Sequence, residues 1–270
     1  SPRISLFLCK IYLLMKITVI GAGAMGGAIA RGLVESGAFS PSDITVSNPS
    51  PARLEPLAAL GINVTSDNVA AVSAASCVIV AVKPWILSGV AAEILPALSE
   101  GCTDLCCVVA GVSAADLSAI FPGSYSLTIA MPNTAVALRK SMTFLVAARG
   151  EASRIDSLFA CLGTSRVIPE RLLPGAMALA SCGIAYALRY VRAASEGGVQ
   201  LGFRASEAQE IVAATLEGAC ALLSLPGAHA EAEIDKVTTP GGLTIRGLNA
   251  MERAGFTSAV IDGLIASANV

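Results

Sequence analysis

From residue 15 onward, apolar positions gather into short β-branched runs that alternate with stretches of helical period. The runs fall at 16–20, 44–47, 77–82, 105–110, 126–130 and 142–148. This alternation predicts a parallel sheet covered by helices on both faces, with six strands in one domain over residues 15–163. Past Gly163 the pattern changes. Ala-rich, long-period segments follow at about 173–202, 205–223 and 247–269, with hardly a strand among them. Residues 164–270 are therefore expected to form a smaller all-α domain behind the doubly wound α/β domain. Leu225-Pro226-Gly227 and Thr239-Pro240-Gly241-Gly242 mark loops between its helices. Residues 1–14 precede Met15 and are read as an N-terminal extension. Arg3 and the apolar positions 4–14 make a targeting segment the alternative, although no small-residue cleavage site precedes Lys16.

Composition changes this picture little. Apolar residues make up 54% of the chain and charged ones 14%, which raises the question of a membrane. No uninterrupted apolar run reaches the length of about 18 residues that a span needs. The richest stretch, 172–191, is broken by Pro174, Gly175, Ser181, Gly183 and Arg189, and its small residues suit a buried or interface helix. A net charge of −2 with scattered Lys and Arg gives no field for holding nucleic acid. The eight cysteines fall mostly within apolar segments, at neither zinc-finger nor short-disulfide spacing. They read as reduced core residues of a cytoplasmic protein.

Candidate chemistry begins where the first strand runs into Gly21-Ala22-Gly23-Ala24-Met25-Gly26, a G-x-G-x-x-G turn followed by a helical segment. Gly21 permits the tight turn, Gly23 lets backbone approach a pyrophosphate, and Gly26 lets helix and strand pack closely. Ala24 and Met25 begin the helix whose N-terminus faces the anion. An acidic residue about 20 positions on would hold the ribose 2′-hydroxyl of NAD. Here the second strand ends in Ser47-Asn48-Pro49-Ser50, then Arg53. Without a carboxylate to repel a 2′-phosphate, and with Arg53 to pair with it, NADPH is favoured and NADH is the weaker possibility. Asn48 and Ser50 are further candidates for the cofactor, as is Asn68 for the adenine ribose. The alternative for Arg53 is a solvated residue on the second helix.

Three further segments complete the pattern. Ala81-Val82-Lys83-Pro84 and Ala130-Met131-Pro132-Asn133-Thr134 each end a strand at the carboxyl edge of the sheet. Val237-Thr238-Thr239-Pro240-Gly241-Gly242-Leu243-Thr244-Ile245 precedes a helix in the second domain. In this order the four segments resemble the pyrroline-5-carboxylate reductase family, with its glycine-rich turn, V-K-P strand end, M-P-N-T segment and T-S-P-G-G-x-T loop. The resemblance runs from Met15 to about Val270. It implies a Rossmann-type domain, an NADPH-dependent reduction of a cyclic imino acid in proline biosynthesis, and a homodimer or higher homo-oligomer built through the helical domain. β-Hydroxyacid dehydrogenases share the first turn but would be expected to place a lysine and an asparagine on the long second-domain helix, and neither occurs over 172–202. Three positions depart from the family: Ala135 stands where proline usually follows M-P-N-T, Gly183-Ile184-Ala185-Tyr186 replaces G-P-A-Y, and Arg192 replaces an acidic residue.

Reducing a cyclic imine requires chiefly positioning. Consecutive backbone N–H groups at Gly241, Gly242 and the helix start suit a substrate carboxylate, and Thr239 adds a hydroxyl. Met131 and Asn133 are candidate substrate contacts, while Val82, Lys83 and Pro84 border the cofactor. By resemblance, Thr244 bonds the ring nitrogen. Threonine is a poor general acid, so its role is positioning, with helix capping as the bland alternative. His229 is the sole histidine, and its helix-start loop makes it an exposed bystander. Two other functions fit part of the pattern. An NADP oxidoreductase acting on C=O would require a Lys or His donor in the second domain, and a nonenzymatic NADPH-binding protein would tolerate a degraded 239–244 loop.

Overall fold

The computed structural model describes residues 15–98 and 102–268. The extension over 1–14, with Cys9, lies outside the described residues, as does position 269. Contacts divide the chain into two compact units, the first ending at Ser181 and the second beginning at Cys182.

The first unit holds one eight-stranded sheet: β1 (Ile17–Ile20), β2 (Ile44–Ser47), β3 (Asn63–Thr65), β4 (Cys77–Val80), β5 (Asp104–Cys107), β6 (Ser126–Met131), β7 (Ser141–Arg149) and β8 (Gly163–Val167). Its order is β3-β2-β1-β4-β5-β6-β7-β8. Helices α1 (Ala24–Glu35), α2 (Pro51–Ala58), α3 (Asn68–Val72), α4 (Leu87–Ile94), α5 (Ala114–Ile120) and α6 (Ser153–Ala160) connect the strands. Successive side chains of a strand point to opposite faces. On β1, Ile17 and Val19 enter one apolar layer and Ile20 the other, while on β4 Cys77 and Ile79 oppose Val78 and Val80. One layer is closed by Ile29 and Leu33 of α1 with Ile155, Leu158 and Phe159 of α6. The other is closed by Leu87, Ala91 and Ile94 of α4 with Leu117 of α5. Burial on both faces explains the consecutive apolar runs, and each large side chain withdrawn from water contributes roughly 1.5–3 kcal/mol.

Three features differ from expectation. The sheet has eight strands instead of six, because β3 and β8 are polar edge strands, half exposed and without an apolar run. β8 also carries the sheet past Gly163, where the strand-rich region was expected to end. The sheet is parallel except between β6 and β7. The connection from Met131 to Ser141 is too short for the crossover that a parallel partner requires.

Burial also governs the thiols. It pushes Cys77 and Cys106 well above the ordinary thiol range, Cys102 up to about 11 and Cys107 up to about 12. These four are protonated, unreactive core residues at neutral pH.

After α7 (Leu173–Ala176) the chain passes a π-helical turn at Met177–Cys182 and enters the second unit, with α8 (Gly183–Gln200), α9 (Ala205–Leu223), α10 (Ala230–Lys236), α11 (Leu243–Arg253) and α12 (Phe256–Ala268). The long segment expected at 247–269 is two helices, because Gly255 adopts φ 83° and ends the first. α8 and α9 approach closely where Gly198 faces Ala208, and a Cβ on Gly198 would lie 2.8 Å from that alanine's methyl. Tyr186, in the departing G-I-A-Y segment, ties α8 to α12 by donating its hydroxyl to the Gly263 carbonyl at 3.2 Å and hydrogen-bonding Ser267. Arg192 pairs with Glu196 one turn on at 3.3 Å, a solvent-screened contact that adds little.

The tightest packing lies at the start of α1. Gly21 has φ 104°, and a Cβ there would meet the Ala81 carbonyl at 2.5 Å; one on Gly26 would meet the Gly21 carbonyl at 1.9 Å. Gly26→Ala is therefore expected to destabilise the protein by about 3 kcal/mol in urea unfolding. Gly89→Ala, in α4 with open space around it, should stabilise by about 0.5–1 kcal/mol. A Gly26→Ala midpoint equal to wild type would refute this packing.

Candidate active site

The sheet order reverses between β1 and β4, whose following helices leave for opposite faces, and ligands bind outside the carboxyl ends of the strands at such a point. A cleft of about 400 Å³ opens there. Its floor is the glycine turn. The N–H of Gly21 donates to the Ser47 carbonyl at 2.8 Å, and that of Ala22 donates to Oδ1 of Asn48 at 3.2 Å. Gly23 is the N-cap of α1 and offers no side-chain cap. The first backbone N–H groups of the helix therefore remain available to an anion. A Cβ on Gly23 would meet only Arg53 Nη1, at 4.0 Å. The glycine thus keeps the cradle open without being needed for packing.

The structure brings together most of the residues expected at the cofactor. Gly21, Gly23, Ala24, Met25, Asn48, Arg53, Val82, Lys83 and Pro84 line the cleft, and Met131, expected at the substrate, lines it too. Gly26 lies beneath the turn as a packing residue. Asn48 is buried and its amide is engaged, with Oδ1 holding Ala22 and Nδ2 donating to the Ser50 carbonyl at 3.4 Å. It clamps the loop. Ser50, the N-cap of α2, does not line the cleft. Asn68 accepts from Ser47 Oγ at 2.7 Å and donates to Glu93 at 2.9 Å, also away from the lining.

Asn133 is likewise committed elsewhere. Its Oδ1 accepts the Ala135 N–H at 3.0 Å, its Nδ2 donates to the Ala180 carbonyl at 3.3 Å, and its own N–H donates to Ser141 Oγ at 3.1 Å. The departure at Ala135 supplies that first bond, since a proline there would have no N–H to donate. Ala81, Ala130 and Pro132, from the two segments at the carboxyl edge, also line the cleft, together with residues that no motif pointed to, Ile86 and Val108 to Ala110. The signal for Val108 to Ala110 was position, since they follow the end of β5 at the same edge, whereas Ile86 lies in the turn after Pro84. Lys83 Nζ sits 5.9 Å from the centroid of the exposed Trp85 ring.

In the second unit, Gly241 has φ 71° and Gly242 is the N-cap of α11, again without a side-chain cap. The N–H of Gly242 donates to the Thr239 carbonyl at 3.0 Å, and a Cβ on Gly242 would strike Thr239 Oγ1 at 2.4 Å. Thr244 lies inside the first turn of α11, one residue past its start, so it is not the cap. Its side chain is exposed, and its hydroxyl bonds no partner among the described residues. His229 is the exposed N-cap of α10 and makes no capping bond.

A glycine cradle at a helix start, at the switch point of a doubly wound sheet, fits a dinucleotide, and among the described residues no carboxylate lines it. The class is a Rossmann-type nucleotide-binding domain joined to a helical unit. Comparison with known proteins narrows this. Residues 16–103 match the family described as NADP oxidoreductase, coenzyme F420-dependent, and residues 170–270 match pyrroline-5-carboxylate reductase dimerisation. Pyrroline-5-carboxylate reductase 2 of Dictyostelium discoideum is 33% identical, covering 93% of this chain and 90% of its own length. Pyrroline-5-carboxylate reductase 1 of the same organism is 39% identical over 94% of this chain, which spans about half (48%) of that relative. The solved pyrroline-5-carboxylate reductase of Coxiella burnetii superposes with a TM-score of 0.88 at 27% identity, covering 94% of this chain and 96% of that one. The chain belongs to the pyrroline-5-carboxylate reductase family, NADP-dependent oxidoreductases acting on CH–NH bonds.

Gly23→Val should leave the unfolding midpoint close to wild type, because its branches enter open space, yet abolish saturable NADPH binding in a fluorescence titration. Retained binding with a filled cradle would show that the cofactor sits elsewhere.

Proposed function

We propose that the chain reduces 1-pyrroline-5-carboxylate to L-proline with NADPH, the last step of proline biosynthesis, as a homodimer or higher homo-oligomer in the cytoplasm. The observation that carries this reading is a pair of uncapped helix starts. That of α1 faces an acid-free dinucleotide cleft, and that of α11 follows the Thr239-to-Gly242 turn. Two such starts suit the two anions of the reaction, a pyrophosphate and an amino-acid carboxylate.

Bound in the cleft, NADPH supplies the hydride that adds to the imine carbon. The chain holds and orients. Gly21, Gly23 and the first N–H groups of α1 cradle the pyrophosphate, with Asn48 fixing the turn. Arg53 faces the 2′-phosphate as a fork of donors. The N–H groups at the start of α11 take the substrate carboxylate, with the Thr239–Gly242 bond shaping the loop. Thr244 presents a hydroxyl to the ring nitrogen, which arrives protonated and leaves as the secondary amine. Val82, Pro84 and Met131 wall the cleft against water.

Assembly is supported by the match of residues 170–270 and by exposed apolar side chains on every helix from α8 to α12 except the short α10, among them Leu188, Ile211, Leu243 and Ile265. The helix over Glu170–Gln200 has the length and apolarity to cross a bilayer, with a mean hydropathy of 1.3 and 17% of its richest window buried. We assign that face to a second copy, since Arg189, Arg192 and Glu196 punctuate it. The unbridged, protonated core thiols support a reducing compartment, and fractionation with secreted proteins would overturn that placement.

With pyrroline-5-carboxylate as substrate, loss of NADPH absorbance should show rapid turnover. Thr244→Ala should lower kcat about tenfold, as expected for one lost hydrogen bond to a charged group, with KM for NADPH unchanged. Protein that binds NADPH but leaves this substrate untouched would sink the proposal. Sedimentation should give at least twice the chain mass at micromolar concentration, and a stable monomer would refute the assembly.

A further inference from the structure

Beside the cofactor cleft lies a second hollow of about 400 Å³ that shares Gly23, Ala24 and Arg53 with it. One wall is the α1 row of Ala24, Gly27, Ala28 and Arg31, positions spaced to share one face of a helix. The first members of that row are too small to fill the space, and Arg31 is its first long side chain. Long helical side chains lean back toward the helix N-terminus, which carries this guanidinium toward Gly23 and the Arg53 side. The other wall is Arg53, Pro56 and Leu57. No carboxylate lines the hollow among the described residues, and neither arginine makes an ion pair or a side-chain hydrogen bond there. Two permanent cations bordering one cavity with no counter-charge favour an anion between them.

We propose that Arg31 is a second specificity-determining residue, closing with Arg53 on the cofactor's 2′-phosphate. The assignment rests on the reading above that NADPH is the cofactor and extends it to a residue on the opposite wall from the β2–α2 connection. Arg31 reaches the phosphate from the side of the glycine turn and Arg53 from the side of α2. Each offers paired N–H donors to separate phosphate oxygens. NADH presents only a hydroxyl to this hollow and should be indifferent to Arg31. Because both arginines are exposed, the discrimination should weaken as salt screens it.

The test compares wild type, Arg31→Gln and Arg31→Lys by calorimetric titration with adenosine 2′,5′-bisphosphate and with 5′-AMP, after confirming equal unfolding midpoints. Arg31→Gln should weaken the bisphosphate about tenfold and change AMP by less than about twofold, with Arg31→Lys recovering part of the loss. In steady state the same variant should raise KM for NADPH by a similar factor at unchanged kcat, leaving KM for NADH in place. Equal weakening of both probes, or no weakening of either, overturns the proposal while leaving the reductase reading intact. If pyrroline-5-carboxylate is never reduced but the bisphosphate still depends on Arg31, the reductase reading fails and this one stands.

Discussion

The close approach of α1 to the sheet is the constraint on which the other features depend. A Cβ on Gly26 would overlap the Gly21 carbonyl, and one on Gly21 would overlap the Ala81 carbonyl. The end of β1, the start of α1 and the end of β4 are therefore within van der Waals contact through backbone alone. Where the strand order reverses, helices on both sides turn away and leave a crevice. Backbone packing at the base of that crevice brings the first N–H groups of α1 to its surface. Ser47 and Asn48, at the end of β2, then fix the turn by accepting from Gly21 and Ala22. The same contacts thus close the fold's centre and form its anion cradle.

That cradle was legible in the sequence because its determinants are local. Three glycines at fixed spacing after a β-branched run can be read without knowing the rest of the chain. Asn48 shows the limit of such reading. Its place at the end of β2 was right, but only the three-dimensional structure shows its carbonyl oxygen committed to Ala22, so what it holds is the loop. Asn68 and Asn133 are likewise committed to protein partners, because an amide is both donor and acceptor and neighbours here satisfy both ends. The edge strands β3 and β8 escaped detection for a different reason. Periodicity reports burial, and an edge strand has little. The reversed direction of β7 leaves no trace in hydropathy at all, since side-chain alternation is the same whichever way a strand runs.

The two units solve the burial problem differently. In the first, two apolar layers enclose the sheet and many side chains are wholly withdrawn from water. In the second, Ala208 is the one hydrophobic side chain that is fully buried among the described residues, and Leu188, Ile211, Val260 and Ile265 face outward. Exposed large apolar side chains on this many helices mark a surface suited to cover by a partner. The small residues of α8 then acquire a purpose: Gly197 and Gly198 have no side chain to hold another helix at a distance, and Gly198 already uses this against Ala208. An isologous dimer would repeat the device between copies.

On the proposed reaction, the chemistry asks little of side chains, and the cleft is built accordingly. Its lining contains no histidine and no carboxylate among the described residues, so it offers no group of the kind that exchanges protons near neutrality. Thr244 cannot take their place, since an unactivated hydroxyl is a weak acid. The proton on the imine nitrogen must then come with the substrate or from water. What remains for the protein is to hold anions: a pyrophosphate at α1, a 2′-phosphate between arginines, a carboxylate at α11. Selectivity in such an enzyme resides in the placement of positive ends of helices and guanidinium groups, and these are the features in which this chain is well supplied.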